Sequence, residues 1–333
     1  MNAPIEGRPS RPMHTSSFGA VVAVRNGAAT LRACLDALLD AADRWGGVEV
    51  VVVDNGSTDG TWEMLTGHYR GRIRALREPD GTIAEARNRG AAVVTAEAFA
   101  FVDADCVVAP DYFFAADRAL VESGAAATGS RYALPVTPDW IERTWDDLHP
   151  ATGSGCVAYL NGGNLIVRRQ AFEQVGGFDA RLTTGEDAEF GQRLNAAGLQ
   201  VYQDPRIRSV HLGNPKDLAS FFRQQRWHGL GMFGTARRGL DKPVVMTLAH
   251  AALNLAAVVA TLLLKASLAA TLGVFVAAQT LVPALTVAYR VARGGRRRAI
   301  LPGLLLYWIY FWARVAALAL IIGRSSRADR VRR

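Results

Sequence analysis

The sequence predicts an α/β domain built on a largely parallel sheet, followed by a block of membrane helices. Three observations carry this. From Phe18 to about Leu212, short apolar runs alternate with helical periods, the pattern of strands joined by crossover helices. Past Pro243 come three apolar windows of 21, 23 and 24 residues, Val244–Leu264, Ser267–Tyr289 and Ile300–Gly323. The charge divides at the same place. Residues 1–240 hold 25 Lys and Arg against 28 Asp and Glu, a net −3, whereas residues 241–333 hold 13 against 2, a net +11.

In chain order, residues 1–17 carry Pro4, Pro9 and Pro12 and no apolar core, so they read as a disordered tail and no signal peptide. Gly19–Val24 is a buried strand and Thr30–Ala42 a helix with Leu31, Leu35, Leu38 and Leu39 on one face. Val48–Val53 is a second strand, Thr61–Leu65 opens a helix, and Ile73–Leu76 is a weaker strand. Ala84–Val94 is helical and Ala98–Val102 is a strand. A sheet of this kind takes ligands at the carboxyl ends of its strands. The catalytic-type domain is therefore bounded at 18–215. An amphipathic segment over 216–240 follows, centred on Asp217–Gly234 and suited to a membrane interface. The membrane region is 241–333.

Each apolar window can cross about 30 Å of hydrocarbon as a helix. The third contains Arg314. Its apolar residues favour insertion by roughly 4 to 7 kcal/mol against about 3 for one central arginine. Trp308, Trp312, Tyr307 and Tyr310 cluster as an interfacial belt would, so an in-plane helix competes with a span. Arg290–Arg298 and Arg324–Arg333 hold five arginines each, which leaves the positive-inside rule tied.

The overall charge of +8 would ordinarily raise nucleic acid as a partner. Located, it belongs to the membrane segment, and the larger part is mildly acidic. Nucleic acid is excluded. Arginine outnumbers lysine 35 to 3, a coding bias that says nothing about individual side chains. Cys34, Cys106 and Cys156 show no C-x-x-C spacing, which fits a reducing compartment without disulfides or a zinc site.

Three polar groups sit where apolar strands end. Val51–Val53 runs into Asp54 and a Gly/Ser turn, so a carboxylate projects from the sheet edge. Alone it reads equally as an Asx turn capping the next helix. Phe99–Val102 runs into Asp103 and Asp105, two carboxylates that repel unless a cation bridges them. Oxygen ligands of this kind suit Mg²⁺ or Mn²⁺ with substrate phosphates, although a solvated loop explains them as well. Glu186, Asp187 and Glu189 open a helix. There they either complement its dipole or supply a general base.

Together these groups resemble a glycosyltransferase family 2 catalytic domain, in their order and spacing. The resemblance continues through Arg25-Asn26-Gly27, Ala86-Arg87-Asn88-Arg89-Gly90, Asn161-Gly162-Gly163-Asn164 and Gly176-Gly177-Phe178-Asp179, and covers roughly residues 18–230. It implies the GT-A fold, the Rossmann-like fold of nucleotide-diphospho-sugar transferases, in a membrane-attached bacterial-type member. By the resemblance, Asp54 contacts the nucleotide base, and Arg25 and Asn26 lie in the first nucleotide loop. The family often has Tyr-Asn there, so a stacking tyrosine is missing. Arg87 resembles the arginine near the nucleotide. Asp103 and Asp105 resemble the metal-binding pair, with Asp105 the direct ligand, and His211 matches a histidine completing that site. Asp187 resembles the catalytic base and Glu186 its acceptor-side neighbour. Arg226 and Trp227 fit part of the Gln-x-x-Arg-Trp motif of processive synthases, but Arg223 stands where its glutamine belongs. Arg226 is then expected near the diphosphate and Trp227 near the acceptor, which Trp140 and Trp145 could also line.

The implied enzyme is an inverting, metal-dependent, non-processive glycosyltransferase. It would use a nucleotide-sugar donor, a lipid-linked or cell-envelope glycan acceptor and a divalent cation. It would sit multi-pass in a bacterial inner membrane, against membrane lipids, with its active site facing the cytosol. The alternatives are a processive polysaccharide synthase and an inactive scaffold that binds nucleotide sugars.

Overall fold

The computed structural model describes residues 16–79, 81–150, 153–235, 242–264 and 267–331. Most of the proline-bearing tail and the end of the 216–240 segment lie outside them. The chain opens with β1 (Phe18–Val24), α1 (Leu31–Trp45), β2 (Glu49–Asp54), α2 (Thr61–Thr66), β3 (Arg74–Arg77), α3 (Ile83–Val93) and β4 (Ala98–Asp103). Next come β5 (Cys106–Val108), α4 (Tyr112–Ser123), β6 (Ala127–Gly129), α5 (Trp140–Leu148), β7 (Gly155–Cys156), β8 (Asn164–Arg168) and α6 (Arg169–Gln174). α7 (Glu186–Ala196), β9 (Val201–Gln203) and β10 (Ser209–His211) complete the α/β part. Four helices follow: α8 (Leu218–Thr235), α9 (Lys242–Leu264), α10 (Leu268–Ala292) and α11 (Ile300–Val331).

The main sheet has eight strands in the order β3-β2-β1-β4-β8-β6-β9-β7, and β10 pairs separately with β5. Parallel pairing holds for β3, β2, β1 and β4. β8 then runs antiparallel to both β4 and β6, so the sheet is mixed. The reason lies in the connection. The chain enters β8 from the loop at Asn161–Gly163, which lies over the carboxyl end of β4, and Val102 pairs with Asn164.

The strand period of two divides the core. Ala20, Val22 and Val24 of β1, with Val50 and Val52 of β2, face a layer holding Leu31, Leu35 and Leu38 of α1. Val21, Val51, Phe99 and Phe101 face the opposite layer with Ala84, Phe172 and Phe190. Because these strands are buried on both faces, their valine runs are continuous rather than alternating. A Cβ on Gly90 would lie 2.3 Å from Val21 Cγ1, so only glycine lets α3 approach β1 this closely.

A third apolar cluster joins the two parts of the molecule. It gathers Ile141 and Leu148 of α5, Phe221 of α8, Val282 and Val287 of α10, and Leu306, Tyr307 and Phe311 of α11. Asp147 adds a polar clamp, accepting from Arg298 at 2.7 and 2.9 Å and from the backbone N–H of Arg296. That contact holds the Asp147 carboxyl below its ordinary range, through the Arg298 hydrogen bonds first. Three helical stretches, Lys242–Leu263, Leu268–Ala292 and Arg297–Gly323, are long and apolar enough to cross a membrane. The aromatic cluster of α11 is tied to its neighbours by hydrogen bonds. Trp308 and Trp312 both donate to Gln279 Oε1 on α10, at 2.6 and 2.8 Å. Tyr307 lies 3.1 Å from His149 Nε2 and accepts from Arg290.

Candidate active site

The registers Val24↔Asp54 and Ala23↔Asp103 bring the acidic ends of β2 and β4 to one edge. Asp54 is fully buried; its Oδ1 accepts from Ser57 N–H at 3.2 Å. Among the described residues its Oδ2 accepts no hydrogen bond, and Arg77 Nε lies 3.4 Å away. A buried carboxylate oxygen left in this state can receive a ligand donor. Asn26 has the positive φ of 53° that asparagine tolerates. Its Oδ1 accepts from Thr58 N–H, and its own N–H donates to Ser57 Oγ. Asn26 therefore braces the loop beyond Asp54, whereas Arg25 is exposed beside it. The Asn55 side chain, which carried no sequence signal, clamps Gly81 by donating to its oxygen and accepting from its N–H.

Arg87 is 3% exposed and links two acids from distant parts of the chain. It donates to Asp103 Oδ1 at 2.5 Å and to Glu186 Oε1. Burial opposes its charge, but Asp103, Glu186 and Asp187 outweigh that and hold it above its ordinary value. Burial likewise pushes the Glu186 carboxyl up, against Arg87 and with Asp187. Arg87, expected near the nucleotide, is enclosed and bridges the β4 end and the start of α7. Glycines make room for it: a Cβ on Gly162 would lie 2.5 Å from Arg87, and one on Gly163 2.1 Å from Asp103. Asn164 anchors this loop, donating to Ser130 and accepting from Tyr112. Gly162 N–H in turn donates to Asp187 Oδ2 at 3.0 Å. The structure thus brings Asp103, Glu186 and Asp187 around one guanidinium and one glycine loop.

On the other side of Asp103, its Oδ2 accepts from Tyr132 at 3.2 Å, and Tyr132 stacks on His211 with ring centroids 4.8 Å apart. His211 Nδ1 lies 2.9 Å from Asn214 Oδ1, an acceptor, so Nδ1 donates there and the ring is held with Nε2 turned to Asp105. Nε2 lies 3.3 Å from Asp105 Oδ2. Burial pushes the Asp105 carboxyl up, against His211 and with Asp103. Asp103, Asp105, Cys106 and His211 present ligand atoms within 4.8 Å of one another. Two carboxylates and an imidazole suit Mn²⁺ or Mg²⁺. Burial pushes the Cys106 thiol well above its ordinary value, which keeps it protonated and a poor ligand. Asn214 and Lys216 both bond Glu142, which also closes a capping box with Asp139 at the start of α5. The Asp-x-x-Glu spacing over 139–142 was a legible cap signal; Tyr132 and Asn214 lie in loops with no pattern.

α8 passes along the far side of the α7 start. A Cβ on Gly231 would lie 2.3 Å from the oxygen of Thr184, two residues before Glu186. Arg226 and Trp227 are exposed on this helix, and neither bonds the acidic cluster among the described residues. Trp140 is 44% exposed. Trp145 lines a cavity of about 500 Å³ together with Asn161, His149, Tyr289, Arg290 and Arg293.

Known proteins match this arrangement. The model of Glycosyl transferase family 2 matches residues 20–176 and that of Glycosyl transferase family 21 matches 151–320. The chain belongs to the family 2 glycosyltransferases. Among curated relatives, the Pre-mycofactocin glycosyltransferase of Mycobacterium tuberculosis is 26% identical over 258 residues, 74% of this chain and 53% of that one. Glycosyltransferase AglE of Haloferax volcanii is 28% identical over 204 residues, 59% of this chain and 66% of that one. The chain spans about half the length of the first of these. Among solved structures, the mannosyltransferase PcManGT of Pyrobaculum calidifontis, in complex with GDP-Man and Mn²⁺, superposes with a TM-score of 0.58 at 19% identity. The match covers 95% of this chain and 90% of that one. The fold of this family 2 member is GT-A.

Proposed function

We propose that the chain transfers one sugar, with inversion, from a nucleotide-diphosphate donor to a hydroxyl of a lipid-linked or cell-envelope glycan. The observation that carries this is the Arg87 bridge. It holds the strand end bearing the Asp103 and Asp105 carboxylates against the helix start bearing Asp187, so metal site and base line one cleft. Asp54 Oδ2 accepts from the nucleotide base, with Arg25 and Asn26 at the rim. Asp103, Asp105 and His211 would hold Mg²⁺ or Mn²⁺, and such a cation neutralises charge building on the departing diphosphate. PcManGT, solved with GDP-Man and Mn²⁺, supports a donor and ion of this class.

Asp187 takes the acceptor proton. Its Oδ2 is oriented by Gly162 N–H, and no arginine neutralises it directly among the described residues. Glu186 is committed to Arg87, so a second carboxylate free to act as nucleophile is missing from that group, and a single base gives inversion. A relative named N-acetylglucosaminyl-diphospho-decaprenol L-rhamnosyltransferase, 42% identical over 73 residues, supports a lipid-linked acceptor. α9 and α10 would span the membrane, with the 18–215 domain on the cytosolic face. Arg226 and Trp227, exposed on α8, would meet diphosphate and acceptor as these arrive.

A screen of nucleotide sugars for thermal stabilisation with and without Mn²⁺ tests the donor reading; stabilisation by none would sink it. With the donor found, Asp187→Asn should lower turnover by about 10²- to 10⁴-fold while donor binding persists. The anomeric configuration of the product checks inversion, and a ladder of products rather than one added sugar would favour a processive synthase.

A further inference from the structure

The cavity of about 500 Å³ between the α/β part and the apolar helices carries a charge that the protein does not balance. Arg131, Arg290 and Arg293 line it, with Trp145 and Tyr289 on its apolar side. Asp146 pairs with Arg131 at 3.0 Å. Among the described residues no carboxylate pairs with Arg290 or Arg293. Burial, opposed by Asp146 and reinforced by the charge of Arg290, pulls Arg131 below its ordinary value. His149 in the same wall is pushed down to about 3 by burial, with Arg290 again contributing. It stays neutral and adds no compensating charge. Like charges gathered in a concave site favour an anion.

The cavity also has a direction. Asn161 lines one wall, and the next residue, Gly162, donates to Asp187. The opposite wall is the carboxyl end of α10, an apolar helix. A ligand held at the arginines would thus have the base on one side and the lipid-seeking helices on the other.

We propose that Arg131, Arg290 and Arg293 bind the phosphate or diphosphate that joins the acceptor sugar to its lipid anchor. This rests on the glycosyl-transfer reading above and names the acceptor's recognised group. The anionic group sits at the arginines, the sugar hydroxyl extends past Asn161 to Asp187, and the lipid chain leaves along Trp145 and Tyr289.

The test uses the full chain in nanodiscs of neutral lipid with EDTA present, which keeps a diphosphate from entering through a metal. Farnesyl diphosphate, farnesol and inorganic pyrophosphate are the probes, with phosphatidylglycerol added to the disc as the bulk-lipid competitor. Farnesyl diphosphate should bind, and Arg290→Gln with Arg293→Gln should weaken it by about ten- to hundred-fold. Arg293→Gln alone, at an exposed side chain, guards against loss of the Arg290–Tyr307 bond and should give part of the effect. Farnesol and pyrophosphate should bind much more weakly, and phosphatidylglycerol should not compete. An unchanged affinity in both variants overturns the proposal. Pyrophosphate binding as tightly as farnesyl diphosphate, or competition by phosphatidylglycerol, overturns the acceptor assignment in favour of a general anion site. Nucleotide-sugar binding with Mn²⁺, measured separately on wild type, shows whether the underlying reading has failed instead.

Discussion

Replacing Arg87 with methionine would leave Asp103 and Glu186 facing each other in a site nearly closed to water. Arg87 is 3% exposed and Glu186 5%, and Arg87 is the cation paired with Glu186 among the described residues. Removing one partner of a buried ion pair costs about 3–5 kcal/mol. The Asp103 side chain is 27% exposed, so water recovers part of the loss at that end, and the expectation is about 3 kcal/mol. For a domain of this size that is roughly 6–12 °C of melting temperature. Arg87→Lys keeps the charge but cannot fork between two carboxylates, and should lose about half as much. The pH dependence has a definite sign. Burial already lifts Glu186, and losing Arg87 lifts it further. The native state of the methionine variant then binds a proton that the unfolded chain releases, so stability falls as pH rises through that interval. The deficit should be smaller at about pH 5 than at about pH 8. Tryptophan-fluorescence melts in detergent at both pH values measure it. Melting within about 2 °C of wild type, or a deficit that deepens on acidification, would refute the bridge.

His149 should make the chain acid-sensitive. Its pKa is pushed from 6.5 to about 3, so below 6.5 the unfolded chain takes up a proton the native state refuses, costing up to about 1.4 kcal/mol per pH unit. His149→Asn should flatten the melting temperature between pH 7 and pH 5, and an unchanged slope would count against it. Gln279 accepts from two tryptophans and donates to Asn254 at 2.6 Å. Gln279→Leu keeps the volume and should cost about 1–3 kcal/mol in helix association, read from denaturation in mixed micelles. An unaffected variant would show that the network adds nothing.

What was legible in the sequence follows from strand burial. β1, β2 and β4 are buried on both faces and each meets a polar break, so their valine runs and the acids at Asp54 and Asp103 stood out. β6, β7 and β9 have only three, two and three residues, too few for any period to show, and the antiparallel half went unread. Arg87 was visible as part of a motif, but its partners lie 16 and 99 residues away, and no local pattern shows which carboxylates it joins. The partners of the α11 aromatics were hidden for a related reason. An indole that seeks an interface and one that seeks Gln279 look alike until the neighbouring helix is placed.

The same contacts bear on the last apolar helix. Arg296 and Arg298 hold Asp147, so the turn before α11 lies on the α/β side of the molecule. Arg314 is 14 residues further on, about 21 Å along a helix. A perpendicular α11 would there be past the middle of about 30 Å of hydrocarbon. Yet a Cβ on Gly229 of α8 would lie 3.4 Å from Arg314 Cα and 2.7 Å from Ala317 Cβ. Two residues later, Gly231 abuts Thr184, just ahead of α7. α8 carries exposed Arg223 and Arg226, which makes its burial in hydrocarbon costly. α11 stays alongside α8, with the Arg314 guanidinium over Tyr310 at 4.3 Å, and the expected placement is in the interface. Thiol labelling separates the two placements. Cys156 is exposed on the α/β part while Cys34 and Cys106 are buried, so the unaltered chain reports which face of a vesicle carries that part. Gly323→Cys with Cys156→Ser should then react with an impermeant maleimide from that same face. Gly323 lies about 35 Å along the helix from Ile300, so reaction only from the opposite face would establish a span.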